Sequence, residues 1–138
     1  MTKASDDSVR DAALELIQDN VTKVVLLSAA VTIGTGGYSD ANTELGTGSG
    51  KKLGEVTVDS SDFTLGDDDT DGRKLTLSAQ AVGILQDGDA THAAWLDVAN
   101  TKVLHLLDLG ATATVATSEV TRTLNAHSLS IRDTTAVS

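Results

Sequence analysis

A mainly β fold with one N-terminal α-helix is predicted by three observations. Residues 62–81, DFTLGDDDTDGRKLTLSAQA, alternate apolar and polar side chains on either side of a polar Gly66–Gly72 segment, the period of a hairpin with one buried side. Short apolar runs recur from residue 22 to residue 132 with Gly, Asn and Asp between them. Helical spacing of apolar residues is read at the N-terminus. Together these predict an antiparallel β-sandwich or barrel of about eight strands. At 138 residues the chain fits a single domain, 1–138. A domain of that size buries roughly 65–70% of the surface its unfolded chain exposes.

Taken in order, Ser5 caps a helix whose first turn carries Asp6 and Asp7, where negative charge meets the positive end of the helix dipole. The helix is expected to run to about residue 19, with Val9, Ala12, Ala13, Leu16 and Ile17 as its buried stripe and Asn20 as its stop. Residues 22–29, TKVVLLSA, are short, β-branched and apolar on both faces, which predicts a central strand that Val31 and Ile33 extend. Residues 34–52 form a long Gly-rich loop, read as an interaction arm or mobile surface segment. Its glycines do not make a phosphate cradle, because no helix pattern follows to supply oriented N–H groups.

Residues 53–58 read as a strand and residues 63–81 as the acidic-tipped hairpin, followed by a turn at residues 87–89. Residues 92–98 and 102–109 form a second hairpin around Ala99, Asn100 and Thr101. Within it VLHLLDL is apolar on both faces and is therefore placed centrally. Residues 113–115, 119–124 and 128–132 are shorter strands, with Val120, Leu124, Leu129 and Ile131 facing in. Residues 1–5 and 134–138 are expected to be flexible. Tyr38, Phe63 and Trp95 are the sole aromatic side chains, so the core is aliphatic, with Phe63 and Trp95 buried in it.

The net charge is −10, which argues against a nucleic-acid backbone or an anionic membrane as partner, since both require clustered Lys and Arg. There is no cysteine, hence neither a disulfide nor thiolate chemistry. The start of the chain has no apolar signal core and no run approaches the roughly 18 apolar residues of a membrane span, so synthesis and retention in a cytoplasm are expected.

Asp67, Asp69, Asp71 and Gly72 match the first half of an EF-hand calcium loop, with carboxylates at alternate positions ahead of a glycine. The second half is missing, since Ser78 stands where a bidentate Glu is required, and the expected reading is a solvated acidic turn. The three histidines, His92, His105 and His127, show no spacing that builds a zinc site or a nucleophile and base pair. His105 is expected to be a hydrogen-bonded core or near-surface histidine. No catalytic residue, cofactor or metal is assigned, and a non-enzymatic protein is expected.

Three stretches resemble, in order, a family of small structural proteins of tailed bacteriophages and prophages. They are DAALELIQDNVTKVVLLSA (11–29) with YSDANT (38–43), LGEVTVDSSDFTLGDDDTDGRKLTL (53–77) and THAAWLDVANTKVLHLLDL (91–109). The likeness spans about residues 9–132, and the chain departs from it in GTGSGKK and in its proline-free C-terminus. The resemblance implies a non-enzymatic virion protein made in the host cytoplasm, decorating or cementing the outside of the capsid. Its implied partners are the major capsid protein and neighbouring copies of itself, as a homo-oligomer on the shell. Contacts are expected from residues 1–8 and 34–52, with Thr2, Lys3, Asp6, Tyr38, Lys51 and Lys52 as interaction residues. The alternatives are a tail or neck component, or a calcium- or carbohydrate-binding β module using the acidic hairpin tip.

Overall fold

The computed structural model describes residues 7–67 and 72–131. A curled six-stranded sheet packs against a three-stranded one, with all strand pairs antiparallel. The chain runs α1 (Asp7–Asn20), β1 (Lys23–Leu27), α2 (Tyr38–Asn42), β2 (Lys52–Thr57), β3 (Phe63–Asp67), β4 (Arg73–Leu77), β5 (Gln80–Ile84), β6 (Gly88–Asp97), β7 (Lys102–Val115), β8 (Thr121–Leu124) and β9 (His127–Ile131). The larger sheet has the order β7-β6-β1-β2-β5-β8 and the smaller β3-β4-β9. The mainly β class and the N-terminal helix are as the sequence predicts, and α2 is an addition inside the long loop.

Both faces of the large sheet are covered. Val24 and Leu26 of β1 and Ala93 and Trp95 of β6 enter the main core, between the two sheets and α1. The alternate residues Val25, Leu27, Ala94 and Leu96 enter a second cluster, covered by Val31, Tyr38 and Ala41. This is why β1 is apolar on both faces, and it does lie centrally, between β2 and β6. Phe63 and Trp95 are buried as expected and meet edge to face with ring centroids 5.2 Å apart, a favoured aromatic geometry.

Several expectations are corrected. Helix α1 buries Leu14, Ile17 and the following Val21, while Val9 is 61% and Leu16 65% exposed, and Ala12 and Ala13 are exposed as well. The inward face also carries Asp11 and Gln18, which find partners there: Asp11 pairs with Arg73, and the Gln18 amide donates to the Ser60 carbonyl at 3.1 Å. The more apolar stripe therefore lost to one whose polar members are satisfied. The cap expected at Ser5 lies outside the described residues. The Asn20 amide donates back to the Leu16 carbonyl at 2.6 Å and closes the last turn, matching its role as the stop.

The first hairpin ends at Leu77 instead of continuing to Ala81. The Ser78 N–H donates to the Asp62 carbonyl at 2.9 Å, and the chain then crosses to the large sheet as β5, where Val82 and Ile84 reach the main core. The sequence alternation runs on to Ala81, past the crossing, and changes phase only at Val82, where the buried positions become Val82 and Ile84. Strand β7 lies at the sheet edge, not its centre; it is apolar on both sides because Leu107 and Leu109 pack on the main core and Leu106 on the second cluster. Val31 and Ile33 do not extend β1, and beyond them Gly34 forms only an isolated bridge to Val103. Val120 is 69% exposed with φ 65°, in the cap of a 3-10 turn, whereas Leu124 and Leu129 do face in. The side chain of Ile131 and the flexible ends proposed for residues 1–5 and 134–138 lie outside the described positions.

The Gly-rich segment is a packed lid. A β-carbon on Gly37 would stand 1.8 Å from the Thr32 carbonyl oxygen, and one on Gly50 2.3 Å from that of Glu44. Backbone bonds from Lys51 N–H to Asp40 O (2.8 Å) and from Lys52 N–H to Thr43 O (3.0 Å) hold it down.

Two paired substitutions test these assignments by thermal or urea unfolding. Leu14→Ala is expected to cost about 2–5 kcal/mol and Leu16→Ala within about 0.5 kcal/mol of nothing; the reverse order would restore the stripe read from the sequence. Gly37→Ala is expected to cost about 3 kcal/mol or more, because its clash is with backbone. Gly66→Ala, with open space around the new methyl, should change stability by about 0.5 kcal/mol or less.

Candidate functional site

The acidic hairpin tip is the first candidate. Asp67 is exposed at the end of β3 and is ion-paired with the Arg73 guanidinium, whose Nε also donates to Asp11 Oδ1 at 2.6 Å. The two carboxylates raise the Arg73 pKa still further above its ordinary value, through hydrogen bonds first and charge second. Asp67 is thus committed to a cation of the protein itself, in a bridge that fastens α1 to the hairpin. Asp69 and Asp71 lie outside the described residues. Among the described residues no three His, Asp or Glu side chains are grouped to hold a metal.

Of the interaction residues, Thr2, Lys3 and Asp6 also lie outside the described residues. Tyr38 and Lys51 are half-buried in the lid. Lys52 is only 6% exposed and turns inward, so its place is in the interior of the fold and not on a contact surface. Its ammonium meets Glu55, which Lys23 also contacts at 3.0 Å; Lys23 donates to Asn42 Oδ1 and Asn42 donates to the Tyr38 hydroxyl, each at 3.2 Å. This chain of contacts ties α2 to β1 and β2. Burial pushes the Glu55 carboxyl up, but hydrogen bonds and charge from Lys52 and Lys23 outweigh it and hold the pKa below its ordinary 4.5.

The second candidate is a cavity of about 350 Å³ where the curl of the large sheet brings its two edge strands together. Arg122 of β8 spans the seam, reaching the Thr114 carbonyl of β7 at 3.4 Å while pairing with Glu119 at 2.7 Å. Leu107, Leu109, Val115 and Leu124 supply apolar walls, and Asp108, Arg122, Asn125 and His127 supply polar atoms. Asp108 accepts from its own turn at Gly110 N–H, 2.9 Å away.

Beside that cavity the buried Trp95 indole N–H donates to His127 Nε2 at 2.9 Å. Nε2 must then be a lone-pair acceptor, so the proton sits on Nδ1, which donates to the Asn125 carbonyl at 3.1 Å. His105 also packs on Trp95, at a ring separation of 4.6 Å, with its buried Nε2 unpartnered. It is near the core as expected but lacks the expected hydrogen bond at that nitrogen. Burial pushes both imidazoles below the ordinary histidine range, and for His105 the neighbouring His127 adds to the effect. His92 contacts only the Thr91 hydroxyl through Nδ1, at 2.8 Å. No described histidine is hydrogen-bonded to a carboxylate, so no described imidazole is set up as the base of a triad. The sequence holds no spacing signal for the Trp95–His127 pair, 32 positions apart.

No family model, curated protein or solved structure matches the chain.

Glu55→Gln is expected to lower stability at pH 7 by about 1–3 kcal/mol, because it leaves the buried Lys52 ammonium with a neutral partner. The native carboxylate contributes fully above its ordinary 4.5 and loses that contribution as pH falls through the lowered folded value. Unfolding curves of variant and native protein should therefore converge in acid; a difference that persists there would place the effect in packing instead of charge.

Proposed function

We propose that the protein is a non-enzymatic structural component of a tailed-phage virion, bound outside the capsid shell as a decoration or cement protein. The observation that carries this reading is the recurrence, in one order, of the three sequence stretches that resemble that family. The partners would be the major capsid protein and neighbouring copies of this chain.

The architecture is consistent with that role. A body built of two sheets offers a rigid unit, and −10 of net charge favours solubility before assembly. Helix α1 turns Val9 and Leu16, members of its more apolar stripe, outward. Such a face makes a modest contact singly, and many copies on a lattice hold by multivalency. Asp67 is already paired with Arg73, which weighs against the acidic tip as a calcium or carbohydrate site.

Mass spectrometry of purified particles, counting this chain against the major capsid protein, tests the assignment. Copy numbers comparable with the capsid protein are expected; a few to a few dozen copies would move the protein to the tail or neck, and absence would end the virion reading. Leu16→Asp should leave the melting temperature nearly unchanged and reduce particle binding by tenfold or more. Full binding by that variant would take α1 out of the interface.

A further inference from the structure

We propose that His127 is an acid-operated latch: on protonation it releases the Trp95 indole and turns into the adjacent cavity, loosening the three-stranded sheet from the six-stranded one. This inference is independent of the virion reading.

The latch depends on which of the two rings can donate. Neutral His127 has one acceptor and one donor, and both are matched, to Trp95 Nε1–H at 2.9 Å and to the Asn125 carbonyl at 3.1 Å. Adding a proton to Nε2 sets an N–H against an N–H, and the bond becomes a repulsion. Trp95 has little room to yield, because it is fully buried and packs against both Phe63 and His105 at ring separations of 5.2 and 4.6 Å. His127 has somewhere to go, because it already lines the seam cavity.

The surrounding charges are of both signs. From β7, Asp108 lines the same cavity, while His105 stands near His127 and disfavours a second positive charge there. From β8, Arg122 also lines the cavity, with its own charge partly matched by Glu119. From β6 the facing group is the Trp95 N–H, and from β4 the paired residue is Leu77, which does not titrate. His127 opens β9, so its departure frees the start of that strand at the turn from β8.

Burial lowers the His127 and His105 pKa values below the ordinary 6.5. A group depressed in this way leaves stability intact above its unfolded pKa and withdraws it as pH falls from there towards the folded value. The window therefore opens below about pH 6.5. Glu55 and Asp59, held below their ordinary 4.5 and 3.8, stay ionised through its upper part.

Trp95 is the single tryptophan and Tyr38 the single tyrosine, so fluorescence and near-ultraviolet circular dichroism of the full chain report the two clusters separately. Between about pH 8 and about pH 5, Trp95 emission is expected to shift reversibly to the red while the Tyr38 and far-ultraviolet signals hold. His127→Gln keeps an acceptor for the indole and a donor for Asn125 without titrating, and should abolish the shift; His105→Gln should retain it. A shift that persists in His127→Gln, or vanishes in His105→Gln alone, overturns the latch. Should His127→Gln not fold, NMR of the native protein decides. The lone indole N–H signal should lose protection in step with titration of the His127 ring, and an indole signal indifferent to that titration overturns the proposal.

Discussion

The constraint on which this structure depends is that strands β1 and β6 are apolar on both faces. A sheet whose central strands carry Val24 and Trp95 on one side and Val25 and Leu96 on the other cannot leave either side to water. One face takes the three-stranded sheet and α1, an ordinary two-layer solution. The other takes residues 28–51, a segment with little regular structure of its own. It serves as a cover because α2 places Tyr38 and Ala41 over the cluster and because Gly37 and Gly50 let backbone pass backbone at distances no side chain permits.

That lid brings its own electrostatic problem. Lys52 begins β2 under the fold of the segment, and an ammonium 6% exposed must be paired or it destabilises the state that buries it. Glu55, three residues on and on the same strand, supplies the charge, and Lys23 on the neighbouring β1 shares it. The polar chain from Tyr38 through Asn42 to Lys23 then extends the pairing to α2. A stretch that reads as loose on composition is fastened at α2 and beside Lys52 by contacts between residues up to 19 positions apart.

What was legible in the sequence follows from the range over which each signal acts. The second hairpin was readable because its turn residues are local: the Asp97 carboxylate accepts from Asn100 at the corner, and Thr101 takes a positive φ there. The burial of Phe63 and Trp95 was readable from scarcity and size. The inward face of α1 was not, because it is chosen by Arg73, 62 positions from Asp11. The edge position of β7 was not either, since an apolar strand between two clusters reads the same as one between two strands. The crossing after Leu77 was hidden because the alternation runs on to Ala81 and changes phase only at Val82, inside the next strand. The Trp95–His127 bond combines all of these difficulties, having neither local spacing nor a periodic signature.

The two histidines around Trp95 have unequal standing. A buried indole N–H without an acceptor costs free energy, so some acceptor must face Trp95, and a main-chain carbonyl or an amide would serve in a core meant only to be stable. An imidazole is an acceptor only while neutral, and here the choice falls on the one side-chain type whose ordinary titration lies near neutral pH. His105, which also packs on the ring, makes no hydrogen bond through its buried Nε2 and contributes instead by packing and by proximity to His127. Stability alone explains why Trp95 is matched. It does not explain why the match is titratable and set beside the seam cavity, and a conditional contact accounts for both.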